Sequence, residues 1–387
     1  MTLNEILNDE ELRLREFPVA RDSIFLAHAG DCPLPTCVAE AISGYARQCT
    51  LGDQEDPVFP GLLDETRGTA ARLLGCEADE VALVGPTSLS LSLLAAGLNL
   101  RRNDNILIYF DDYPSNVYPW LALAQRGIEV RLMNTRGLGI IRPRDVMGQV
   151  DENTRLVALA SCHFISGYRL DLAAIGSYLR SRKILFCVDG IQTLGAFPTT
   201  VEHVDMLAAD AHKWLLGPCG AGVLYVRRDL QDRITPPIYG WHNIRCPDYV
   251  AQERIEYRPG AKKFEAGSQN LLGLVGLRRS MELLLELGID NIAKELLRKR
   301  AFLAGGLQGL GYTVLAGDAP LENSSAIVSC HREGTDMPAL HGRLTTAKII
   351  TSLRRDRSGQ HYIRFSPHFY NTDAELARVL EFIKQQP

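Results

Sequence analysis

The chain has 387 residues, 46% hydrophobic and 23% charged, with 42 basic against 46 acidic side chains and a net charge of -4. That length suits about two domains, and the composition excludes a disordered, collagen-like or coiled-coil chain. No basic excess is present to neutralise a phosphate backbone, so no nucleic-acid partner is expected. No apolar run approaches the roughly 20 residues of a bilayer span, so no membrane partner is expected either.

Residues 1–17 are acidic and amphipathic, without the character of a signal or transit peptide. The nine cysteines are scattered and form no C-x-x-C pair, which reads as reduced thiols in a cytoplasmic protein. Cys and His do not fall at finger-like spacing, so no metal is expected. Short apolar runs at 81–85, 105–110, 128–133, 155–161, 183–189, 206–209 and 221–226 predict strands. Helical patterns at 90–100, 117–125 and 172–182 lie between several of them. The alternation predicts an α/β protein with a mostly parallel sheet, whose strands are apolar throughout because both faces are covered. Residues 235–268 are rich in Pro, Gly, Tyr and charge and have no period, so they read as a long functional excursion. A helical pattern then runs over 270–308 with one break at Leu287-Gly288. The tail predicts strands at 313–315, 326–330, 348–353 and 362–365, then a helix at 373–384 capped by Thr372 or Asp373.

Two residues stand out chemically. Asp189 closes an apolar run, at the edge where open α/β sheets hold their ligands. A carboxylate buried there requires a cationic partner. Lys213 lies in Ala211-His212-Lys213-Trp214-Leu215-Leu216, just before a glycine-rich turn. A desolvated lysine has a lowered pKa and is nucleophilic, which a Schiff base requires. Upstream, Val84-Gly85-Pro86-Thr87-Ser88-Leu89 opens a helix with small hydroxyl residues, either a plain N-cap or a phosphate site. The glycines of 217–222 precede a strand, and no Gly-Lys dipeptide occurs, so neither a dinucleotide fingerprint nor a P-loop is present.

Asp189-x-x-Gln192 followed by His212-Lys213 resembles the class V aminotransferase family of pyridoxal-phosphate (PLP) enzymes of fold type I. That family includes cysteine desulfurases, selenocysteine lyases, kynureninases and isopenicillin-N-epimerase-like proteins. The resemblance runs from Phe25-Leu26-Ala27-His28-Ala29-Gly30 to Ser366-Pro367-His368-Phe369-Tyr370-Asn371-Thr372. It implies a large PLP-binding domain over 25–268, a linking helix and smaller α+β C-terminal domain over 269–387, and a segment 1–24 packed on the small domain. It implies that Lys213 forms the Schiff base and shuttles the α-proton, and that Asp189 pairs with the protonated pyridine nitrogen, keeping the ring an electron sink. Gln192 would donate to the phenolic oxygen, His212 would lie near the phosphate, and Thr87, with Ser88 second, would grip that phosphate. Tyr113 would stack on the ring, or merely cap the sheet edge. Ser268, in Phe264-Glu265-Ala266-Gly267-Ser268-Gln269-Asn270, would reach the phosphate of a neighbouring subunit, so a homodimer with interfacial sites is implied. Arg364 would bind the α-carboxylate of an amino-acid substrate through both guanidinium arms.

The chain departs from its relatives at several positions. Desulfurases carry a nucleophilic Cys shortly before the carboxylate-binding Arg, and residues 347–364 hold none. Asp210 stands where Ser is usual, and His163 stands near where desulfurases have Asn, or is a satisfied core histidine. Arg354, Arg355 and Arg357 could select an acidic substrate side chain, but a charged run is by default a solvated loop. Transamination is the expected reaction, with a C–S, C–Se or C–C lyase lacking a persulfide cysteine as the alternative.

Overall fold

The structure, a computed structural model, describes residues 1–55 and 61–386. In chain order its strands are β1 (Ile24–Phe25), β2 (Val81–Ala82), β3 (Asn105–Ile108), β4 (Glu129–Leu132), β5 (Thr154–Ala160), β6 (Leu185–Asp189) and β7 (Met206–Asp210). They continue with β8 (Gly222–Val226), β9 (Thr313–Val314), β10 (Val328–His331), β11 (Ile349–Ile350), β12 (Ser352–Arg355) and β13 (His361–Phe365). Seven form the central sheet in the order β2-β8-β7-β6-β5-β3-β4. The run from β7 to β4 is parallel throughout, and β8 lies antiparallel to both its neighbours.

All of β3, β7 and β8 is buried, as a sheet covered on both faces requires. Alternate residues feed two separate cores. Leu107, Val157, Phe186, Val188 and Leu207 face one apolar cluster with the helix Leu172–Ser181, while Ile106, Leu156, Cys187, Met206 and Leu224 face another with the helix Thr87–Gly97. The edge strand β2 ends at Ala82, short of the predicted 81–85, and the next N–H, that of Leu83, donates to the Glu265 carboxylate at 2.8 Å. The predicted helix at 117–125 is a short turn, Tyr118–Leu121, continued as a 3-10 segment, Ala122–Arg126. Two helices absent from the sequence reading, Thr36–Gln48 and Gly61–Leu74, pack against the helix Leu271–Leu287.

The break in the long helical pattern is real. Leu271–Leu287 ends and Ile289–Gly309 begins around Gly288, whose φ of 83° suits only glycine without strain. Beyond it lies a smaller α+β unit, an antiparallel sheet ordered β12-β13-β10-β9, with its own apolar cluster and the helices Met337–Thr346 and Asp373–Lys384. Thr372 is the cap of the last helix, accepting from Glu375 N at 3.1 Å. The predicted strand at 348–353 divides: β11 pairs with β1, and β12 with β13. Near the N-terminus Phe17 stacks on Tyr370 at 4.1 Å and Arg13 pairs with Glu375 at 2.9 Å. None of the nine cysteines is paired, and no helix among the described residues is long and apolar enough to cross a membrane.

Candidate active site

The parallel strands deliver their C-terminal residues to one edge, and Asp189 ends β6 there as Asp210 ends β7. After β6 the chain turns sharply, with Ile191 N–H donating to Asp189 Oδ1 at 3.1 Å. Asp189's other oxygen has no hydrogen-bond partner among the described residues. After β7, residues 211–221 form a closed loop: Ala211 N donates to Ala221 O and Gly217 N to Ala211 O, both at 2.9 Å. That loop carries His212, Lys213 and Trp214. The indole Nε1 of buried Trp214 donates to Gln192 Oε1 at 2.8 Å, pinning the loop to the turn after β6. Gly195 makes that approach feasible, since its φ is 91° and an added Cβ would stand 2.6 Å from Trp214 O.

Lys213 is 5% exposed. Burial lowers its pKa to about 8, against the pull of Asp189 and with the help of the Arg364 and Arg354 guanidinium groups. Its Nζ lies 5.1 Å from the centroid of the Tyr113 ring. Burial raises the pKa of Asp189, offset by the Ile191 N–H, Lys213 and His212. Asp112 is also buried, and burial with the nearby Asp189 charge pushes its pKa up to about 7. Asp112 accepts from Tyr113 N, Asn116 Nδ2 and Ala160 N, so it fixes the backbone that presents Tyr113.

The helix Thr87–Gly97 aims its N-terminus at the same edge, where the first N–H groups have no intrahelical acceptor. Thr87 is buried, and its hydroxyl accepts from Asp210 N at 2.9 Å. Asp210 Oδ2 accepts from His212 Nδ1 at 2.7 Å and from Gly220 N at 3.1 Å, while its Oδ1 is buried and has no partner among the described residues. Ser88 lies outside this knot, exposed and bonded to the Ser115 hydroxyl at 2.7 Å. Gln192 has little capacity left: Trp214 occupies its oxygen and Ala29 O takes one amide hydrogen at 3.0 Å, leaving a single N–H. Ser268 is exposed and is not drawn into the cluster around Lys213. Its segment is anchored instead by Glu265, fully buried and bonded to Arg67 (2.5 Å), Leu83 N (2.8 Å) and Gln269 (3.2 Å).

Arg364 on β13 is 1% exposed. Its Nη1 donates to Phe164 O at 2.7 Å and its Nη2 to Ser352 Oγ at 3.3 Å, while Nε is buried and unpartnered. The three loop arginines separate in space. Arg354 turns inward toward Arg364, Arg355 is exposed, and Arg357 pairs with Asp111 at 2.6 Å while covering the Phe110 ring. His163 is a satisfied core histidine: its ring nitrogens meet Ser166 Oγ (3.1 Å) and Asp111 O (3.0 Å), and burial lowers its pKa to about 4, so it is neutral. Cys330 pairs with Ile363, the neighbour of Arg364 in β13, so it points to the opposite face, into the C-terminal core. A cavity of about 1100 Å³ lies elsewhere, lined by Trp241, Tyr249, Tyr257 and Lys262 of the long excursion.

The donor set suits PLP. It offers an amine held near neutrality, a buried carboxylate with an unengaged oxygen, an aromatic ring beside the amine, a helix N-terminus and a guanidinium with no acidic partner among the described residues. Asp210 is the discordant member, a carboxylate where hydroxyls would serve a phosphate better.

The family model for aminotransferase class-V matches residues 24–379. A probable cysteine desulfurase of Methanothermobacter thermautotrophicus is 27% identical, over 98% of each chain. An uncharacterized aminotransferase of Schizosaccharomyces pombe is 26% identical, over 91% of this chain and 89% of its own. Among solved structures, the apo cysteine desulfurase of Thermococcus onnurineus NA1 superposes with a TM-score of 0.89 at 23% identity, covering 97% of each chain. A cystine C-S lyase in complex with its product, cysteine persulfide, superposes with a TM-score of 0.87 at 22% identity, covering 95% of this chain and 99% of its own.

Proposed function

The chain belongs to the aminotransferase class-V family, and from that premise we propose that it activates the α-carbon of an amino acid and transfers the amino group. Its cofactor is pyridoxal 5'-phosphate, which supplies the electron sink for the carbanion that such chemistry generates. Lys213 would carry the cofactor, and its Nζ would accept and return the α-proton. The observation that carries this reading is a buried lysine whose Nζ lies 5.1 Å from the Tyr113 ring and which feels the charges of Asp189 and Arg364. An amine near neutrality is both a nucleophile and a base at working pH.

The other side chains bind and orient. Asp189 turns its free oxygen to the ring nitrogen. Thr87, Ser88 and the helix N-terminus hold the phosphate, with His212 beside it, oriented by its bond to Asp210. Gln192 donates its remaining N–H to the phenolic oxygen, Tyr113 stacks on the ring, and Arg364 takes the α-carboxylate. Ser268, from an adjoining copy of the chain, completes the phosphate site.

A lyase is the second reading, supported by relatives named probable cysteine desulfurase. It would have to work without a protein persulfide, because residues 347–364 contain no cysteine and Cys330 is buried on the far face.

Stoichiometry separates the two. The purified protein should be yellow, with colour that borohydride bleaches and Lys213→Ala removes. Given an amino acid alone, an aminotransferase releases one 2-oxo acid per bound cofactor and stops until an oxo acid is supplied. Continuous turnover without an acceptor would overturn transamination in favour of the lyase. A colourless protein that takes up no added PLP would sink both.

A further inference from the structure

The end of the site that faces the substrate holds more positive charge than one α-carboxylate needs. In the β12–β13 ladder Ser352 pairs with Arg364 and Arg354 with Tyr362, so Arg354 and Arg364 are diagonal neighbours on one face. Gly30 lies against both: a Cβ there would stand 3.3 Å from Arg364 Nη2 and 3.5 Å from Arg354 Nη2. Both Nε atoms are buried and have no hydrogen-bond partner among the described residues. Neither arginine has a carboxylate within salt-bridge distance among the described residues, unlike buried Arg13 and Arg67, which each have a buried glutamate, and like buried Arg300, which stands alone where these two stand side by side. The hydrogen bond recorded for Arg354 is a long one, 3.4 Å to Leu353 O. Lys213 Nζ lies 5.1 Å from the Tyr113 ring, and the charges of both guanidinium groups act on Lys213.

Two adjacent, partly desolvated cations without a counter-charge are costly unless an anion joins them, and such arrangements persist chiefly at functional sites. A single carboxylate is satisfied by one guanidinium fork. The fold also discriminates among the loop arginines: Arg355 faces solvent and Arg357 is engaged by Asp111, leaving Arg354 directed at the site. Building on the amino-acid chemistry proposed above, we propose that Arg354 is a specificity-determining residue, and that the substrate is an amino acid whose side chain bears a second anion, a carboxylate or sulfinate. Arg364 holds the α-carboxylate and Arg354 the side-chain anion.

The test compares L-aspartate and L-cysteine sulfinate with L-asparagine and L-alanine on the holoenzyme and on its Arg354→Gln and Arg354→Lys variants. The acidic pair should be favoured by about 100-fold in kcat/KM, the scale of a partly buried ion pair. Arg354→Gln should erase that preference while moving the neutral substrates by less than about threefold, and Arg354→Lys should restore part of it. The balance between aspartate and the sulfinate identifies which anion is native. An equal loss on all four substrates would place Arg354 on the α-carboxylate and overturn the proposal, as would the absence of any acidic preference. Calorimetric binding of succinate against propionate supplies a readout free of turnover. Succinate binding that weakens in Arg354→Gln while propionate binding does not supports the anion site, even if no amino acid is converted and the activity reading falls. Succinate binding indifferent to Arg354 overturns the anion site, even if amino acids react.

Discussion

Burial makes Lys213 a weak base for a lysine, and this has a consequence for stability. The unfolded chain holds the proton up to about pH 10.5, and the folded chain releases it near pH 8. Between those values the unfolded state binds more protons, so stability rises with pH; below pH 8 the full penalty applies, about 3 kcal/mol. In the cofactor-free protein, Lys213→Met should therefore raise unfolding stability at pH 7 by at most about 3 kcal/mol, less what Asp189 loses with its cation, and the gain should shrink between pH 8 and 10.5. Urea titrations at pH 7 and pH 11 check this. A gain that is absent at pH 7, or undiminished at pH 11, would mean that burial of the charge is not what sets Lys213 apart. The Lys213 amine is thus buried at the expense of apo-protein stability, as is common where a side chain is held for chemistry.

At the scale of elements, the site depends on two turns held against each other. The Trp214–Gln192 bond joins the loop after β7 to the turn after β6, and Gly195 sits where the two backbones meet. Gly195→Ala introduces both an unfavourable positive φ and a contact of 2.6 Å with Trp214 O. It should cost about 2–4 kcal/mol and displace the Lys213 loop. Thermal melts and the pH dependence of cofactor uptake should both move, and an unchanged melting temperature would refute the argument. The strands around these turns were readable because parallel strands covered on both faces are continuous apolar runs, as in β5 and β6. The helices Thr36–Gln48 and Gly61–Leu74 were not, since the alternation of strands and helices from which the fold was inferred begins only at β2.

At the scale of the whole molecule, the question is whether one chain suffices. Ser268 is exposed, and its segment is tied firmly to the fold by Glu265, so it is presented outward on a rigid base. If it serves a neighbour's phosphate, Lys213→Ala and Ser268→Ala protomers should complement one another. Each mixed dimer would hold one doubly altered and one intact site, so random exchange should recover about a quarter of wild-type activity. Mixtures no more active than the separate variants, or an active monomer in sedimentation, would remove Ser268 from the site.

The sequence by itself determined the α/β class, most of the strands and the break at Gly288, and it singled out Asp189 and Lys213, the two residues to which the proposed chemistry is assigned. Each of these is local: a strand buried on both faces is apolar throughout, and a lysine in an apolar stretch before a glycine turn announces itself without reference to distant residues. Only the tertiary structure decided which arginine of Arg354, Arg355 and Arg357 faces the site, because that follows from the register of β12 on β13, and a shift of one residue would turn Arg355 inward instead. It also decided that Asp210 knots together Thr87, His212 and Gly220, and that Gln192 has one N–H to spare. These contacts join segments up to 163 residues apart, and the hydrogen-bond capacity of a side chain is assigned only when its partners are in place.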